Sequence, residues 1–179
     1  MTGEHPGRAR REKHDKICRL LVTRGCWVFI APGSRMMHSI TYVSRNLLAM
    51  PDDTGQLSAI QLYAAARNRE LDLTGLLIVS PSHFAQYIEG EEASLERVMA
   101  SIRRDERHTD LVVWEPVQLP TRRFPNWRMA LFGPDERITR AMNPILAELN
   151  GTMPDPQRVE MLGLMQTLAK TYGRLADTL

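Results

Sequence analysis

The chain has 179 residues, of which 43% are hydrophobic and 25% are charged, a composition that suits one well-buried domain with appendages rather than two domains. Residues 1–36 carry eight Lys/Arg and three Asp/Glu, a net charge of +5, so the formal total of +2 leaves −3 on the remainder. That balance, with no basic stripe interleaved with aromatic residues, argues against nucleic-acid binding by the folded part of the chain.

Residues 1–36 are a basic arm that we expect to be disordered. They are rich in Arg and Gly, show no sustained period, and end in a linker-like run at residues 31–35. Met36 and Met37 immediately precede the first predicted strand. This position leaves open that the arm is an upstream extension of the reading frame.

Two cysteines and an apolar run in the arm bear on the cellular compartment. Cys18 and Cys26 match neither a CxxC redox pair nor a zinc knuckle, so we interpret them as free thiols of a cytoplasmic protein. The apolar residues 20–31 are interrupted at Arg24 and fall short of a membrane span, so no membrane partner is expected. A secretory signal is the alternative interpretation of this run, weakened by the break.

The first predicted strand covers residues 40–44 and places Ile40, Tyr42 and Ser44 on one face. Helical spacing then predicts a helix over residues 56–71. Its apolar stripe includes one amide and consists of Leu57, Ile60, Ala64, Asn68 and Leu71.

A β-hairpin is predicted from residues 73–79 and 83–88, with Phe84, Gln86 and Ile88 on one face of its second strand. A second amphipathic helix over residues 93–104 follows. Its core side carries Leu95, Val98, Met99 and Ile102.

Two further strands complete the predicted sheet. The fourth covers residues 111–117 and the fifth covers residues 124–131, with Trp127, Met129 and Leu131 expected on one face. The order βαββαββ predicts an α+β, ferredoxin-like fold, with a five-stranded mixed sheet and two helices on one face.

Residues 134–179 are predicted to form a helical cap on the other face of the sheet, which carries Val43, Ala85, Tyr87 and Trp114. The first helix, residues 135–150, is expected to break at Asn143-Pro144. The second covers residues 156–179, and its apolar surface is wide enough to bind a neighbour as well. Its stripe is Val159, Leu162, Gln166, Ala169, Tyr172 and Ala176, widened by Met161, Leu164, Met165, Leu168 and Leu175.

Three polar side chains occupy core-facing positions: Tyr42, Asn68 and Gln86. Burying an amide without a partner costs about 1–3 kcal/mol, so each needs hydrogen bonds. They could satisfy one another and the nearby backbone. Their convergence from strand, helix and hairpin instead suggests a polar ligand inside the domain.

Standard catalytic signatures are missing, including phosphate loops, GxGxxG, HExxH and metal-spaced histidines. His83 and His108 have solvated or capping roles by default, and Trp127 is a core residue by default. The turn at Arg107-His108 is either solvated or able to reach an anionic ligand tail. We therefore do not expect an enzyme or a metal site.

The sequence motifs resemble the BLUF domain, a family of blue-light sensors that use FAD. The resemblance covers residues 37–133 with nearly gapless spacing. The matching elements are Tyr42-Val43-Ser44-Arg45, Arg67-Asn68, Leu73-Thr74-Gly75-Leu76-Leu77, Phe84-Ala85-Gln86-Tyr87-Ile88-Glu89-Gly90, Asp105-Glu106-Arg107-His108, Glu115-Pro116 and Arg122-Arg123-Phe124-Pro125-Asn126-Trp127-Arg128-Met129.

This resemblance implies a non-covalent flavin site, with FAD as the expected cofactor and FMN left open. Tyr42, Asn68 and Gln86 would face the flavin, and Trp127 and Met129 would couple it to output. The full expected binding set is Tyr42, Ser44, Ile60, Arg67, Asn68, Gln86, Ile102, Arg107, His108 and Met129, with Ile60 and Ile102 on either side of the flavin ring.

The family mechanism implies that Tyr42 gives an electron and a proton to the excited flavin and that the Gln86 amide rearranges. An amide suits this role because it offers donors and an acceptor at one site. Arg67 stands where many members have Asn, which affects the flavin pyrimidine edge. Asp72 stands where many have Gly, and Asp tolerates the left-handed conformation.

We therefore expect a photoreceptor without enzymatic turnover, whose output passes to an unidentified protein effector or through a homo-oligomer. The alternatives are a flavin- or ligand-binding interaction module without photoactivity, and a small ferredoxin-like enzyme such as an acyl phosphatase. The enzyme lacks support because no phosphate-gripping loop is visible. The colour of the purified protein and its response to light separate the three.

Overall fold

The computed structural model describes residues 20–23, 26–29, 36–50, 52–147 and 155–176. The chain divides into two compact units, Met1–Ser34 and Arg35–Leu179. In the first unit, β1 (Leu20–Thr23) pairs with β2 (Cys26–Phe29) as an antiparallel hairpin that the sequence did not predict. The other residues of the arm lie outside the described part, so their disorder stays a prediction.

In the described part of the second unit, six strands form one mixed sheet. They are β3 (Met37–Asn46), β4 (Thr74–Val79), β5 (His83–Gly90), β6 (His108–Val113), β7 (Val117–Leu119) and β8 (Ala130–Phe132). The spatial order is β6-β3-β5-β4-β8, and β7 also pairs with β3. All these pairings are antiparallel except that of β4 with β8, which is parallel. The α+β, ferredoxin-like fold expected from the sequence is confirmed.

The fourth predicted strand, residues 111–117, is wrong in its bounds because the chain there is divided between β6 and β7. Both pair with the long β3, and Pro116 lies between them. Proline has no N–H to donate to a ladder, so the pairing is interrupted at this residue and resumes beyond it.

The fifth predicted strand, residues 124–131, is also wrong, since β8 begins only at Ala130. The preceding residues are held mainly by side chains, and Gly75 N donates to Trp127 O at 2.8 Å. As a result Trp127 and Met129 do not share a face: Trp127 packs with Phe124 and Phe132, whereas Met129 packs on the opposite side of the sheet.

Helices α1 (Thr54–Glu70) and α2 (Glu92–Ile102) cover the face of the sheet that we call the front face, defined by Tyr42, Leu77 and Gln86. Two buried clusters lie there, one beneath each helix. Leu95, Val98 and Met99 of α2 pack on β3 and β5, and Leu57 of α1 packs on the other end of the sheet. The apolar sides predicted for both helices are thereby confirmed in the main.

Helices α3 (Glu136–Leu146) and α4 (Asp155–Ala176) cover the back face, which carries Val43, Tyr87 and Trp114. Met142 of α3 and Met161 and Met165 of α4 are fully buried in this cluster. Buried methionines fill irregular gaps well, which suits the junction of two helices with a twisted sheet. The predicted helical cap on this face is present.

Two details of the C-terminal helices differ from the prediction. Helix α3 continues through Pro144 instead of breaking there, and it ends two residues later at Leu146. In α4 the predicted stripe faces the sheet only in part: Leu162 and Ala169 pack against the back-face cluster, but Val159 is 55% exposed and Gln166 is exposed. The buried centre of the contact is formed by Met161 and Met165, which were expected beside the stripe. Because α4 is apolar on several sides, periodicity alone could not fix its orientation.

Among the described residues, none of the helices has the length and apolar character that a membrane span requires.

Candidate functional site

A cavity of about 350 Å³ lies between α1, α2 and the front face of the sheet. Pockets of roughly 300–1,000 Å³, mostly apolar with a few polar groups, are typical of cofactor sites. The lining residues are Tyr42, Ile60, Tyr63, Ala64, Arg67, Asn68, Leu77, Phe84, Gln86, Val98, Ser101, Ile102, Asp105, Arg107, His108 and Met129.

Tyr42 and Gln86 are brought together by the register of the sheet. They are directly paired residues of β3 and β5, and the Tyr42 hydroxyl donates to Gln86 Oε1. Both side chains are buried. Because the oxygen of the amide faces Tyr42, its nitrogen points away and donates to Met129 Sδ at 3.4 Å. The orientation of this amide is thus defined by contacts at both ends.

Burial raises the pKa of the Tyr42 phenol well above its usual value, and the negative charge of Asp105 raises it further. Removing water disfavours the phenolate, and a nearby carboxylate acts in the same direction. Tyr42 is therefore a neutral hydrogen-bond donor over the physiological pH range.

Asn68 projects from the last turn of α1 and is fully buried. Its Nδ2 donates to Arg128 O at 2.6 Å, while no donor among the described residues reaches its Oδ1. A buried amide oxygen without a partner costs free energy, so this atom is poised to accept a hydrogen bond from a ligand.

His108 lies beside Tyr42, with ring centroids 6.4 Å apart and planes inclined by 25°. Its Nε2 lies 2.9 Å from Ile102 O, and since a carbonyl only accepts, Nε2 carries the proton. His108 Nδ1 is buried and has no partner within the described residues. His108 is therefore a second residue of the cavity lining, after Asn68, with a buried polar atom that lacks a partner among the described residues.

The two arginines at the cavity are paired with neighbouring carboxylates. Arg67 Nη1 lies 2.8 Å from Glu70 Oε2. Arg107 binds Asp105 through two nitrogens, at 2.8 and 2.5 Å, which holds the pKa of Asp105 below and that of Arg107 above its ordinary value. Cationic groups are therefore present at the cavity wall on α1 and in the turn between α2 and β6.

Most of the predicted binding residues meet at this cavity, including Ile60 of α1 and Ile102 of α2. Ser44 does not line it, although Ser44 is buried and its Oγ has no partner in the described part of the chain. Trp127 lies on the back face and does not line it either. Asp72 has φ = 49°, which confirms the left-handed turn expected at this position.

The sequence analysis did not assign Tyr63, Ser101 or Asp105 to the site. Asp105 gave a usable signal, because a carboxylate two residues before Arg107 can form a local ion pair. Tyr63 gave none, since it lies outside the apolar stripe of α1 and is 69% exposed.

Comparison with known proteins identifies the family. The family model described as BLUF, "Sensors of blue-light using FAD", matches residues 37–130. This match spans more than half of the chain and contains every strand of the sheet but the last.

Two relatives are described by their light responses. One is the photoactivated adenylate cyclase subunit beta of Euglena longa, 29% identical over 95% of this chain. Another is the blue light- and temperature-regulated antirepressor BluF of Escherichia coli (strain K12), 30% identical over 51% of this chain. The chain spans 18% and 23% of the lengths of these two proteins.

A solved structure of similar size supports the assignment. The dark-state structure of BlrB, a BLUF protein, is 30% identical and has a TM-score of 0.62. The match covers 76% of this chain and 98% of BlrB. The chain therefore belongs to the BLUF family and is a flavin-binding sensor of blue light.

Proposed function

We propose that the cavity between α1 and α2 holds FAD without a covalent bond and that Tyr42 and Gln86 form the light-sensitive part of the site. The observation that carries this proposal is the buried Tyr42–Gln86–Met129 chain of contacts in the cavity wall. The Gln86 amide in this chain has a second possible orientation, because it can present either its oxygen or its nitrogen to each neighbour.

The cavity fits the polar edge of a flavin. Asn68 Oδ1 can accept a hydrogen bond from a ring N–H of the flavin. The Nδ2 group of Asn68 already donates to Arg128 O, which fixes the orientation of the amide. Ile60 and Ile102, from the two facing helices, offer aliphatic contacts for a flat aromatic group. The residues present therefore match a group that is apolar on its faces and polar at its rim.

A bound flavin would supply the absorption of blue light and an acceptor for one electron and one proton. Tyr42 is the donor in this proposal, since its phenol is neutral and is hydrogen-bonded to Gln86. Loss of the phenolic proton removes the bond that fixes the Gln86 oxygen. The Gln86 amide then rearranges and changes its contact with Met129.

FAD is proposed over FMN because the family as a whole is described by its use of FAD. Arg67 and Arg107 line the cavity and would be the cations available to a phosphate of either cofactor; both are bound to carboxylates in this structure. Guanidinium groups pair well with phosphate as well as with carboxylate, so either arginine could exchange its carboxylate partner for a phosphate. Mass analysis of the flavin released from purified protein would identify the form.

We also propose that the chain is a cytoplasmic sensor without enzymatic turnover and that its output passes to a protein effector or a second copy of itself. The related cyclase subunit and antirepressor each contain more chain than this protein matches, which fits a sensing unit that regulates another activity. Helix α4 offers the exposed Val159 and Tyr172 for such a contact. Pull-down in the dark and under light would identify the partner.

The test of the photocycle is the absorption spectrum of the flavin-loaded chain before, during and after blue illumination. We expect a reversible red shift in the parent and none in Tyr42→Phe, which should still bind flavin because only one hydroxyl is lost. Bound flavin with an unchanging spectrum in the parent would instead indicate a ligand-binding module without photoactivity. Colourless protein that takes up no added flavin would contradict the proposed site.

A further inference from the structure

Glu89 is a fully buried carboxylate on the back face of β5, outside the cavity. Its two oxygens take part in four hydrogen bonds, two with hydroxyl groups and two with main-chain amides. Oε1 accepts from Thr74 Oγ1 at 3.1 Å and Phe124 N at 2.7 Å, and Oε2 accepts from Tyr87 Oη at 3.0 Å and Arg123 N at 2.8 Å. The two main-chain amides can only donate, so both Glu89 oxygens are engaged as acceptors by the backbone of residues 123 and 124.

A buried charge is costly unless it is fully hydrogen-bonded, and such a group is retained where it holds something in place. Two of the four donors are main-chain amides at the start of the segment 122–129, which leads to Met129. This segment is not paired as a strand, since β8 begins at Ala130. Glu89 therefore performs for its first residues the anchoring that a ladder would otherwise provide.

Other contacts hold the same segment along the edge of the sheet. Arg122 Nη2 and Arg128 Nη1 lie 3.0 and 2.9 Å from the two oxygens of Asp72. The Asp72 side chain is 72% exposed, so water and salt weaken these pairs. Three of the four Glu89 bonds are buried and the fourth, from Arg123 N, is partly buried, so water and salt weaken them less than the Asp72 pairs.

The far end of the segment reaches the front face at the light-sensitive residues. Asn68 Nδ2 donates to Arg128 O, and Met129 Sδ accepts from Gln86 Nε2 at 3.4 Å. The segment thus connects a buried carboxylate on one face of β5 with Gln86 on the other face of the same strand. The position of the Met129 sulfur depends on how firmly the segment is held.

We propose that Glu89 is a positioning residue of the light switch: by anchoring residues 122–129 from the back face, it keeps Met129 against the Gln86 amide on the front face. This inference rests on the proposed photocycle of Tyr42 and Gln86. It adds a residue that does not touch the flavin site and assigns it a measurable effect on the switch.

The informative variant is Glu89→Gln, which preserves shape and replaces one acceptor oxygen by an NH₂ group. Because Arg123 N and Phe124 N bind different oxygens, the amide can satisfy one of them and must oppose the other. Tyr87→Phe is the milder variant, since it removes only the hydroxyl bonded to Oε2. It keeps the ring, whose centroid lies 5.1 Å from the ring centroid of Phe124. Asp110→Asn, which neutralises an exposed surface pair with Arg45, is the matched control.

The experiment uses the full flavin-loaded chain and two measurements. Amide hydrogen exchange in the dark reports how firmly residues 122–129 are held, and the rate of dark recovery after blue light reports on the switch. In Glu89→Gln we expect exchange across the segment to rise by about tenfold or more, as loss of a bond to a charged group implies. The rate of dark recovery should change by about tenfold, in the same direction as it does in Met129→Ala.

The double variant Glu89→Gln/Met129→Ala separates positioning from general destabilisation. If Glu89 acts through Met129, the double variant recovers at the rate of Met129→Ala within about twofold, because the two changes are not independent. Effects that multiply, or parental exchange and recovery in Glu89→Gln, overturn the proposal. If Glu89→Gln does not fold, Tyr87→Phe must show the same direction of both changes, and parental values there overturn it.

Failure of the photocycle itself is distinguishable from failure of this inference. A parent without a reversible red shift contradicts the proposed function and leaves the exchange measurement, which needs no light, to decide whether Glu89 holds the segment. A parent that cycles normally beside a Glu89→Gln variant with unchanged exchange contradicts the anchor alone.

Discussion

At the scale of single residues, the central contact is the bond from the Tyr42 hydroxyl to Gln86 Oε1. Gln86→Leu is expected to keep flavin bound and to abolish the reversible red shift, since leucine fills the space but offers neither donor nor acceptor. Loss of the partner of Tyr42 should cost about 1–3 kcal/mol of unfolding free energy. Gln118→Leu, at an exposed position of β7, serves as the control and should cycle normally. A red shift that persists in Gln86→Leu would remove Gln86 from the switch.

The two buried tyrosines predict how stability depends on pH. Burial raises the pKa of both Tyr42 and Tyr87, and the charge of Asp105 or Glu89 adds to the effect. A raised pKa in the native state means that the stabilisation is complete below the unfolded value near 10 and is lost as pH rises above it. Each tyrosine should lower the unfolding free energy by about 1.4 kcal/mol per pH unit in that range.

Urea unfolding between about pH 9 and pH 11 checks this expectation. Above about pH 10 the unfolding free energy should fall less steeply with pH in Tyr42→Phe than in the parent, and the same holds for Tyr87→Phe. In each variant the difference in slope is the contribution of the one tyrosine that was removed. Equal slopes in parent and variants would show that these phenols ionise in the native state as readily as in the unfolded chain.

The residues of the site differ in how visible they are in the sequence. Tyr42, Asn68 and Gln86 stand out because each is a polar side chain at an apolar position of a strand or helix. Glu89 is also a polar side chain at a core position, on the same face of β5 as Tyr87. Its two main-chain partners lie 34 and 35 residues away, in a segment that precedes β8 and is not paired as a strand. Periodicity reports on faces of elements and contains no information about such distant pairs.

At the scale of elements, the hairpin was predicted from two strand-like runs with a short loop between them, and the two front helices from apolar residues at helical spacing. The last strand was misplaced because residues 124–129 alternate like a strand but are held by Glu89, Asn68 and Gly75 instead of a ladder. The centre of the buried face of α4 was misplaced for a related reason. Its apolar residues surround much of the helix, so the choice of buried face is made by the sheet and α3.

The observed orientation of α4 can be checked by two truncations of side chains. Met161→Ala removes a fully buried side chain and should lower the unfolding free energy by about 2–5 kcal/mol, through lost burial and the cavity that remains. Val159→Ala, at a position 55% exposed, should change it by no more than about 0.5 kcal/mol. Urea denaturation of both variants decides. A larger loss at Val159 than at Met161 would favour the stripe first predicted from the sequence.

At the scale of the whole molecule, the sheet separates the cavity from the C-terminal helices. Its front face carries the cavity, and its back face is covered by α3 and α4 through Met142, Met161 and Met165. Trp127 belongs to the back-face cluster, while Met129, two residues later, belongs to the front. A displacement of the 122–129 segment would therefore be felt on both sides of the sheet. A coupling of the two faces through this segment is the prediction that follows.

Light-dependent hydrogen exchange in the full chain measures that coupling. If the segment transmits the change at Gln86, exchange in residues 155–172 of α4 should differ between dark and blue light in the parent and not in Gln86→Leu. A chain ending at Gly133 completes the test, because it leaves Val43, Tyr87 and Trp114 of the back face uncovered. We expect this shorter chain to keep the flavin cycle but to precipitate or to change its mass in light scattering. Exchange in α4 that is indifferent to light, or a shorter chain with unchanged mass state and solubility, would show that output leaves the domain by another route.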